Sequence, residues 1–281
     1  MTRFVNNFKT AVFMGALFGI ILLIGAQVGG PRGLIMAFIF GGAMNVVSFF
    51  FSDKIALASM RGQEVDESTA PDLVHMVSRL ARNAGLPMPR IYVCPQSAPN
   101  AFATGRSPSK AAVAVTHGAL QLLSYEELEG VMAHELAHVK NRDTLISCVA
   151  ATIAGAISML GWMMLWFGGG RDRGNPLLAL GLVILAPIAA GLIQMAISRS
   201  REYVADADAA RMAGTPGGLI GALQKLDAVS RRVPLHNGNL DSHNHMFIVQ
   251  PLSGKSFAKL FSTHPPMEQR IARLQELNHR A

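Results

Sequence analysis

Four stretches of the chain, residues 11–28, 33–51, 146–167 and 177–197, carry no Asp, Glu, Lys, Arg or His. Each is close to the ~20 residues a helix needs to cross the hydrocarbon core of a bilayer. The pattern therefore predicts four transmembrane helices arranged as two hairpins. Only Gly29-Gly30-Pro31-Arg32 separates the first pair, a composition suited to a tight turn. That close second run distinguishes the first stretch from a cleaved export signal, despite Arg3 and Lys9 ahead of it, and both helices are expected to be retained. Small residues four apart (Gly15 with Gly19, Gly25 with Gly29) and the run Ala150, Ala151, Ala154, Gly155, Ser158 and Gly161 suit close helix packing within the chain. Pro187 is expected to kink the fourth helix.

Between and after the hairpins the pattern changes. Residues 71–84 put Leu73, Val77 and Leu80 on one helical face, and residues 90–93 and 111–116 read as short strands. Ser124-Tyr125-Glu126-Glu127 is a capping box that starts a helix at about Tyr125. That helix is expected to run through His138 and on into the third apolar stretch, and the fourth stretch to continue into a helix around Glu202. Pro265-Pro266 opens a last helix with Ile271, Leu274 and Leu277 inward. The expected fold class is thus mainly α with a small β-sheet: four transmembrane helices plus an α+β domain made from two separate pieces. The expected divisions are 1–51 for the first hairpin, 52–145 for the first piece of the polar domain, 146–197 for the second hairpin and 198–281 for the second piece.

Composition supports the membrane reading. Of 281 residues 50% are hydrophobic and 15% charged, against about a quarter charged in an ordinary soluble domain. The formal charge is +7, but the basic residues lie beside the apolar runs and are not interleaved with aromatics. Anionic lipid headgroups are the expected partners, and nucleic acid is not. Arg3, Lys9, Lys54, Arg61, Lys140, Arg142, Arg199 and Arg201 fall on one side of the four spans, and only Arg32, Arg171 and Arg173 on the other. The first side, with both termini and the polar domain, is therefore expected in the cytoplasm. Cys94 and Cys148 show no disulfide spacing. The absence of ionisable residues within any span argues against a transporter or metal channel.

The chemistry concentrates in two clusters. Residues 134–138 read His-Glu-Leu-Ala-His, and residues 201–206 read Arg-Glu-Tyr-Val-Ala-Asp. His134 and His138, four apart on a helix, share one face and can bind one metal ion. Glu202 is the expected third ligand, with the fourth position open for water or substrate. Glu135 is set back from the ligands and is placed to act as general base. Asp206, one turn after Glu202, can hold the outer nitrogen of a ligand histidine. One zinc ion per chain is expected. An even number of spans between the clusters brings both to the same face of the membrane, as a shared metal requires. Asp143 and Asp208 read as surface or structural residues, and His117 as an ordinary polar residue at a strand-to-helix turn. His236, His243 and His245 lie in a loop whose spacing matches no closed zinc pattern.

The chain resembles the M48 peptidases. The matching residues are His134-Glu135-Leu136-Ala137-His138, Glu202-Tyr203-Val204-Ala205-Asp206, Asn100 to Gly105, and His264-Pro265-Pro266 followed by Arg270-Ile271. The resemblance covers essentially the whole chain. It implies a gluzincin fold for the polar domain and a zinc endopeptidase in the bacterial inner membrane, acting on misfolded or damaged membrane proteins. It also implies that His264 and Arg270 stabilise the oxyanion. Asn100 would then bind the substrate backbone beside a strand that pairs with it. Two other readings stay open: a zinc-bearing membrane scaffold or chaperone without catalysis, and a protease that processes prenylated peptides.

Overall fold

The computed structural model describes residues 53–147, 176–232 and 265–278, with scattered helical positions at 8, 11–13, 15–16, 35, 39, 43, 50–51, 149–150, 153–155 and 157. The chain divides into two compact units. One is Met1–Phe50 with Leu145–Ser200, and the other is Phe51–Thr144 with Arg201–Ala281. Among the described residues no helix is long and apolar enough to cross a membrane. The first three apolar stretches lie mostly outside those residues, and the fourth lies within them.

The second unit holds a four-stranded mixed sheet, ordered β1-β2-β4-β3. Its strands are β1 (Gln63–Val65), β2 (Arg90–Cys94), β3 (Ala101–Thr104) and β4 (Ala112–Thr116). β2 and β4 run parallel, while β1 on β2 and β3 on β4 are antiparallel. Every residue of β4 is buried. Val113 and Val115 face the main helical core, and Ala112 and Ala114 face a second cluster with Leu57, Met60, Tyr92, Cys94 and Phe102. A strand covered on both faces has no polar alternation to reveal it, which is why its pattern in the sequence is weak. β3 is an edge strand.

Helix α1 (Pro71–Ala84) begins on a proline and ends at Gly85, whose φ of 67° lets its N–H reach back to the carbonyls of the last turn. Leu73, Val77 and Leu80 are buried as expected, with Val74, Met76, Ala81 and Ala84. Helix α2 (His117–Leu122) is capped by Thr116, whose Oγ1 accepts the Ala119 N–H. Helix α3 (Tyr125–Asn141) starts on the complete capping box: Ser124 Oγ accepts the Glu127 N–H, and Glu127 accepts the Ser124 N–H. Helix α4 (Pro176–Ala213) is one continuous helix with Pro187 inside it, so the fourth apolar stretch does run on into the Glu202 cluster. Helices α5 (Gly217–Arg232) and α6 (Met267–Asn278) complete the unit.

One expectation is corrected. α3 does not continue straight toward the third apolar stretch. It stops at Asn141, where Arg142 takes a left-handed conformation (φ 54°) and its N–H caps the His138 and Val139 carbonyls. The left-handed position is held by an arginine and not by glycine or asparagine, so the usual stop signal is missing there.

α3 is the central helix, packing against α1, α5, β3 and β4. It is buried around most of its circumference, with Leu128, Val131, Met132, Ala133, Leu136 and Ala137 in the core. Its contact with α5 is close enough to require glycine. A Cβ on Gly130 would lie 2.3 Å from the Leu219 nitrogen, and one on Gly218 would lie 2.0 Å from the Glu126 carbonyl oxygen. Backbone cannot yield as a flexible side chain can, so Gly130→Ala must push α5 away from the helix that carries both histidines. Overpacking of this kind costs about 1–3 kcal/mol or more. The expected result is a melting temperature several degrees below wild type for the detergent-solubilised protein, read by circular dichroism. An unchanged melting temperature would mean that the two helices are not in this close contact.

Candidate metal centre

The C-terminal half of α3, the C-terminal third of α4 and the start of α6 meet at one place in the second unit. His134 and His138 come from α3, Glu202 and Asp206 from α4, and Arg270 from α6. The His134 and His138 Nε2 atoms are 3.1 Å apart, and the Glu202 oxygens lie 3.5 Å from the first and 3.4 Å from the second. One ligand atom from each of the three residues can be chosen with all within 4.8 Å of one another. Tetrahedral ligands at zinc bond lengths of ~2.0–2.1 Å sit about 3.3 Å apart, so the spacing fits a single ion.

The outer nitrogens explain why the inner ones converge. His134 Nδ1 is 2.9 Å from Asp206 Oδ1, and His138 Nδ1 is 2.7 Å from Asp143 Oδ2. A carboxylate only accepts hydrogen bonds, so each ring donates from Nδ1 and is left with a lone pair on Nε2. Both lone pairs point at the same space. Each carboxylate is itself held by a buried arginine. Arg270 forks onto Asp206 through Nε at 2.9 Å and Nη2 at 2.6 Å, and Arg201 Nε donates to Asp143 Oδ1 at 2.5 Å. The centre thus contains two arms of the same construction, arginine to aspartate to imidazole.

The charges close in the same way. Four buried carboxylates, Glu135, Glu202, Asp143 and Asp206, face two buried guanidiniums, Arg201 and Arg270, which leaves a formal charge of −2. A divalent cation neutralises it. Without one, protons must serve. Burial disfavours a charged imidazole, and Arg270 adds to this at His134. The carboxylates outweigh both effects, so each ring holds its proton above the usual histidine range, His138 well above it. Burial would raise the Asp206 carboxyl, but Arg270 and His134 bring it down to about 2. Arg270 is raised in turn by Asp206 and Glu202 against the effect of burial.

Glu135 is nearly fully buried, and its Oε2 accepts the Ala103 N–H of edge strand β3 at 2.9 Å. Asn100 is wholly buried. Its N–H donates to Thr116 Oγ1, and its carbonyl accepts the Thr116 N–H. Arg270 has no exposed surface; its Nη1 lies 3.5 Å from Glu202 Oε2 and makes no hydrogen bond among the described residues. His264 lies outside the described residues, as do His236, His243 and His245. His117 is exposed at the start of α2, and Asp208 is buried on Asn141 and Arg211.

One residue was misjudged from the sequence and another was left open. Asp143, read as surface or structural, does not lie at the surface: it is 6% exposed and holds His138. Arg201 was counted among the basic flanks, but it is 5% exposed and paired with Asp143, so it offers no charge to a headgroup layer. Asp143 stands five residues after His138, which is off-face on a continuous helix. Only the break at Arg142 turns it back.

Comparison with known proteins identifies the family. The pattern of peptidase family M48 matches residues 67–278. A protease HtpX homolog from Pelotomaculum thermopropionicum is 50% identical over 280 residues, covering 97% of this chain and 99% of that protein. One from Persephonella marina is 53% identical over 283 residues, covering 98% of each. One from Thermococcus sibiricus is 51% identical over 280 residues, covering 96% of this chain and 95% of that protein. Among solved structures, S. mikatae Ste24p shares the fold with a TM-score of 0.56 at 18% identity. The match covers 96% of this chain and 66% of that one, so about a third of the larger protein has no counterpart here.

The raised imidazoles have a consequence for the metal-free protein. A group whose affinity for protons is higher folded than unfolded stabilises the fold fully below its unfolded pKa, ~6.5 for histidine. That contribution is lost as pH rises through the folded value. The zinc-stripped protein is therefore expected to melt at a lower temperature at pH 9 than at pH 6. The zinc-loaded protein should show the opposite slope, because protons compete with the metal for the same nitrogens. Melting curves with and without chelator across this range check both. A stripped protein whose melting temperature is flat or rises would show ordinary imidazoles.

Proposed function

The chain belongs to peptidase family M48 and is a zinc metalloprotease, and we propose that it is an integral membrane endopeptidase that cuts misfolded or damaged membrane proteins in segments exposed to the cytoplasm. The observation that carries this reading is the convergence of His134 Nε2, His138 Nε2 and Glu202 on one point, with Glu135 buried beside them. His134, His138 and Glu202 hold the zinc. Bound there, zinc supplies Lewis acidity, which lowers the pKa of water toward ~7 and polarises a peptide carbonyl.

The chain's own groups do the rest. Glu135 accepts the proton of the attacking water and delivers it to the leaving amine. The Ala103 N–H engages one of its oxygens and so fixes the carboxylate against the sheet edge. Asp206 keeps His134 in the tautomer that presents Nε2. Arg270 Nη1 and the His264 imidazole are the donors for the oxyanion that develops on the scissile carbonyl. Edge strand β3 binds the substrate by backbone pairing. Asn100, buried at the foot of that strand, sets its path by way of Thr116.

In this reading the four apolar stretches cross the inner membrane of a bacterium, with both termini and the protease site in the cytoplasm. Large apolar side chains exposed along these stretches support this reading: Phe8 and Val12 in or near the first, Ile35, Ile39, Phe50 and Phe51 in the second, and Ile184, Leu185, Ile188 and Leu192 in the fourth. A cysteine placed at Asp172 should react with an impermeant thiol reagent from outside the cell, and one at Glu268 only after lysis. Labelling of both from the same side would reject the topology.

Catalysis is tested by Glu135→Gln. The wild type in detergent is expected to hold about one zinc per chain and to cleave an unfolded protein. The variant should keep the zinc and lose about 10²–10⁴-fold in rate. A wild type that binds zinc and cleaves no unfolded substrate would instead favour the non-catalytic scaffold.

A further inference from the structure

We propose that Asp143, braced by Arg201, is a positioning residue for the metal ligand His138, and that this pair assembles half of the metal centre before any metal arrives. The inference rests on the zinc site proposed above. It starts from chain geometry. On a continuous helix a residue five places on is turned by about 140° from its predecessor, so Asp143 could not face His138. The left-handed Arg142, a conformation a non-glycine residue rarely adopts, ends α3 and brings the Asp143 carboxylate to 2.7 Å from His138 Nδ1. That unusual backbone angle is accounted for by the contact it makes possible.

The ring it holds is the one that most needs holding. The His138 side chain is 18% exposed and that of His134 only 3%. Close packing helps Asp206 fix His134, whereas the more exposed His138 depends more heavily on its hydrogen bond for both tautomer and orientation. Asp143 in turn is anchored from the other cluster. Arg201 Nε donates to its Oδ1, and Arg201 Nη2 reaches the Asn141 carbonyl at the end of α3. Arg201 and Glu202 are neighbours on α4. The first fastens α4 to the end of the histidine helix, and the second then reaches the Nε2 atoms. The ion pair thereby sets the distance between the two halves of the ligand set without help from the ion. Partners of ligand histidines commonly account for 10–100-fold in metal affinity.

The test is zinc affinity of the full-length protein in detergent, measured by chelator competition, together with the visible spectrum of the cobalt-substituted protein. Asp143→Asn is expected to weaken zinc 10–100-fold and to shift the cobalt bands, and Asp143→Glu to recover part of the affinity. Asp208→Asn is the control. Asp208 is also buried on α4, where it bonds Asn141 and Arg211, and its variant should bind zinc like wild type. If Asp143→Asn fails to fold because it strands the buried guanidinium, the double variant Asp143→Asn with Arg201→Met removes both charges and carries the same expectation. Zinc affinity within twofold of wild type in the Asp143 variants would overturn the proposal, as would an equal loss in Asp208→Asn. A wild type that binds no zinc would overturn the metal site itself, which is a distinguishable failure.

Discussion

Two imidazole nitrogens 3.1 Å apart, each presenting a lone pair, cannot share that space without positive charge between them. Almost everything in the second unit can be traced to this constraint. The lone pairs face inward because both outer nitrogens donate to buried aspartates. The aspartates stay ionised because buried arginines face them. Glu202 adds a third donor group, and Glu135, Glu202, Asp143 and Asp206 set against Arg201 and Arg270 leave a charge that one divalent cation would balance. With the ion absent, the imbalance appears as imidazoles that hold protons more tightly than usual.

Such a centre is expensive to build. Burying a guanidinium with no exposed surface costs several kcal/mol unless its partners are well placed. The fold answers with rigidity. The capping box fixes the start of α3, glycines let α5 lie directly on it, and the sheet closes the other side. α6 is tied to α4 by the Arg270–Asp206 fork, by the Tyr203 hydroxyl donating to Gln269, and by Arg273 stacked 3.8 Å over the Tyr203 ring. A hydrolytic site needs ligands held within tenths of an ångström, and these contacts are what hold them.

The same rigidity connects the metal centre to the sheet edge. Glu135 sits one residue after a ligand histidine and accepts a hydrogen bond from Ala103 on the outermost strand. The general base and the strand proposed to receive substrate are therefore in direct contact. A peptide aligned on β3 would lie beside the base by construction, because both are set by the packing of α3 against β3.

Much of this was legible in the chain. His134, Glu135, His138, Glu202 and Asp206 stand at helical spacings, and a period of 3.6 residues is a local property that any reader of the sequence can apply. The capping box, α1 and the apolar runs are local in the same sense. What could not be read were contacts that depend on where the chain turns. β1 and β3 hide because strands this short carry little pattern of their own, whereas β2 and β4 were read as strands from residues 90–93 and 111–116. Asp143 looked idle because five residues is the wrong spacing on an unbroken helix. Arg201 was counted among the basic flanks because the aspartate that neutralises it stands 58 positions earlier in the chain. Local periodicity determined the ligands. The arm that aims His138 was decided by tertiary structure alone, since a left-handed residue without glycine and an ion pair across 58 positions leave no trace in the order of the amino acids.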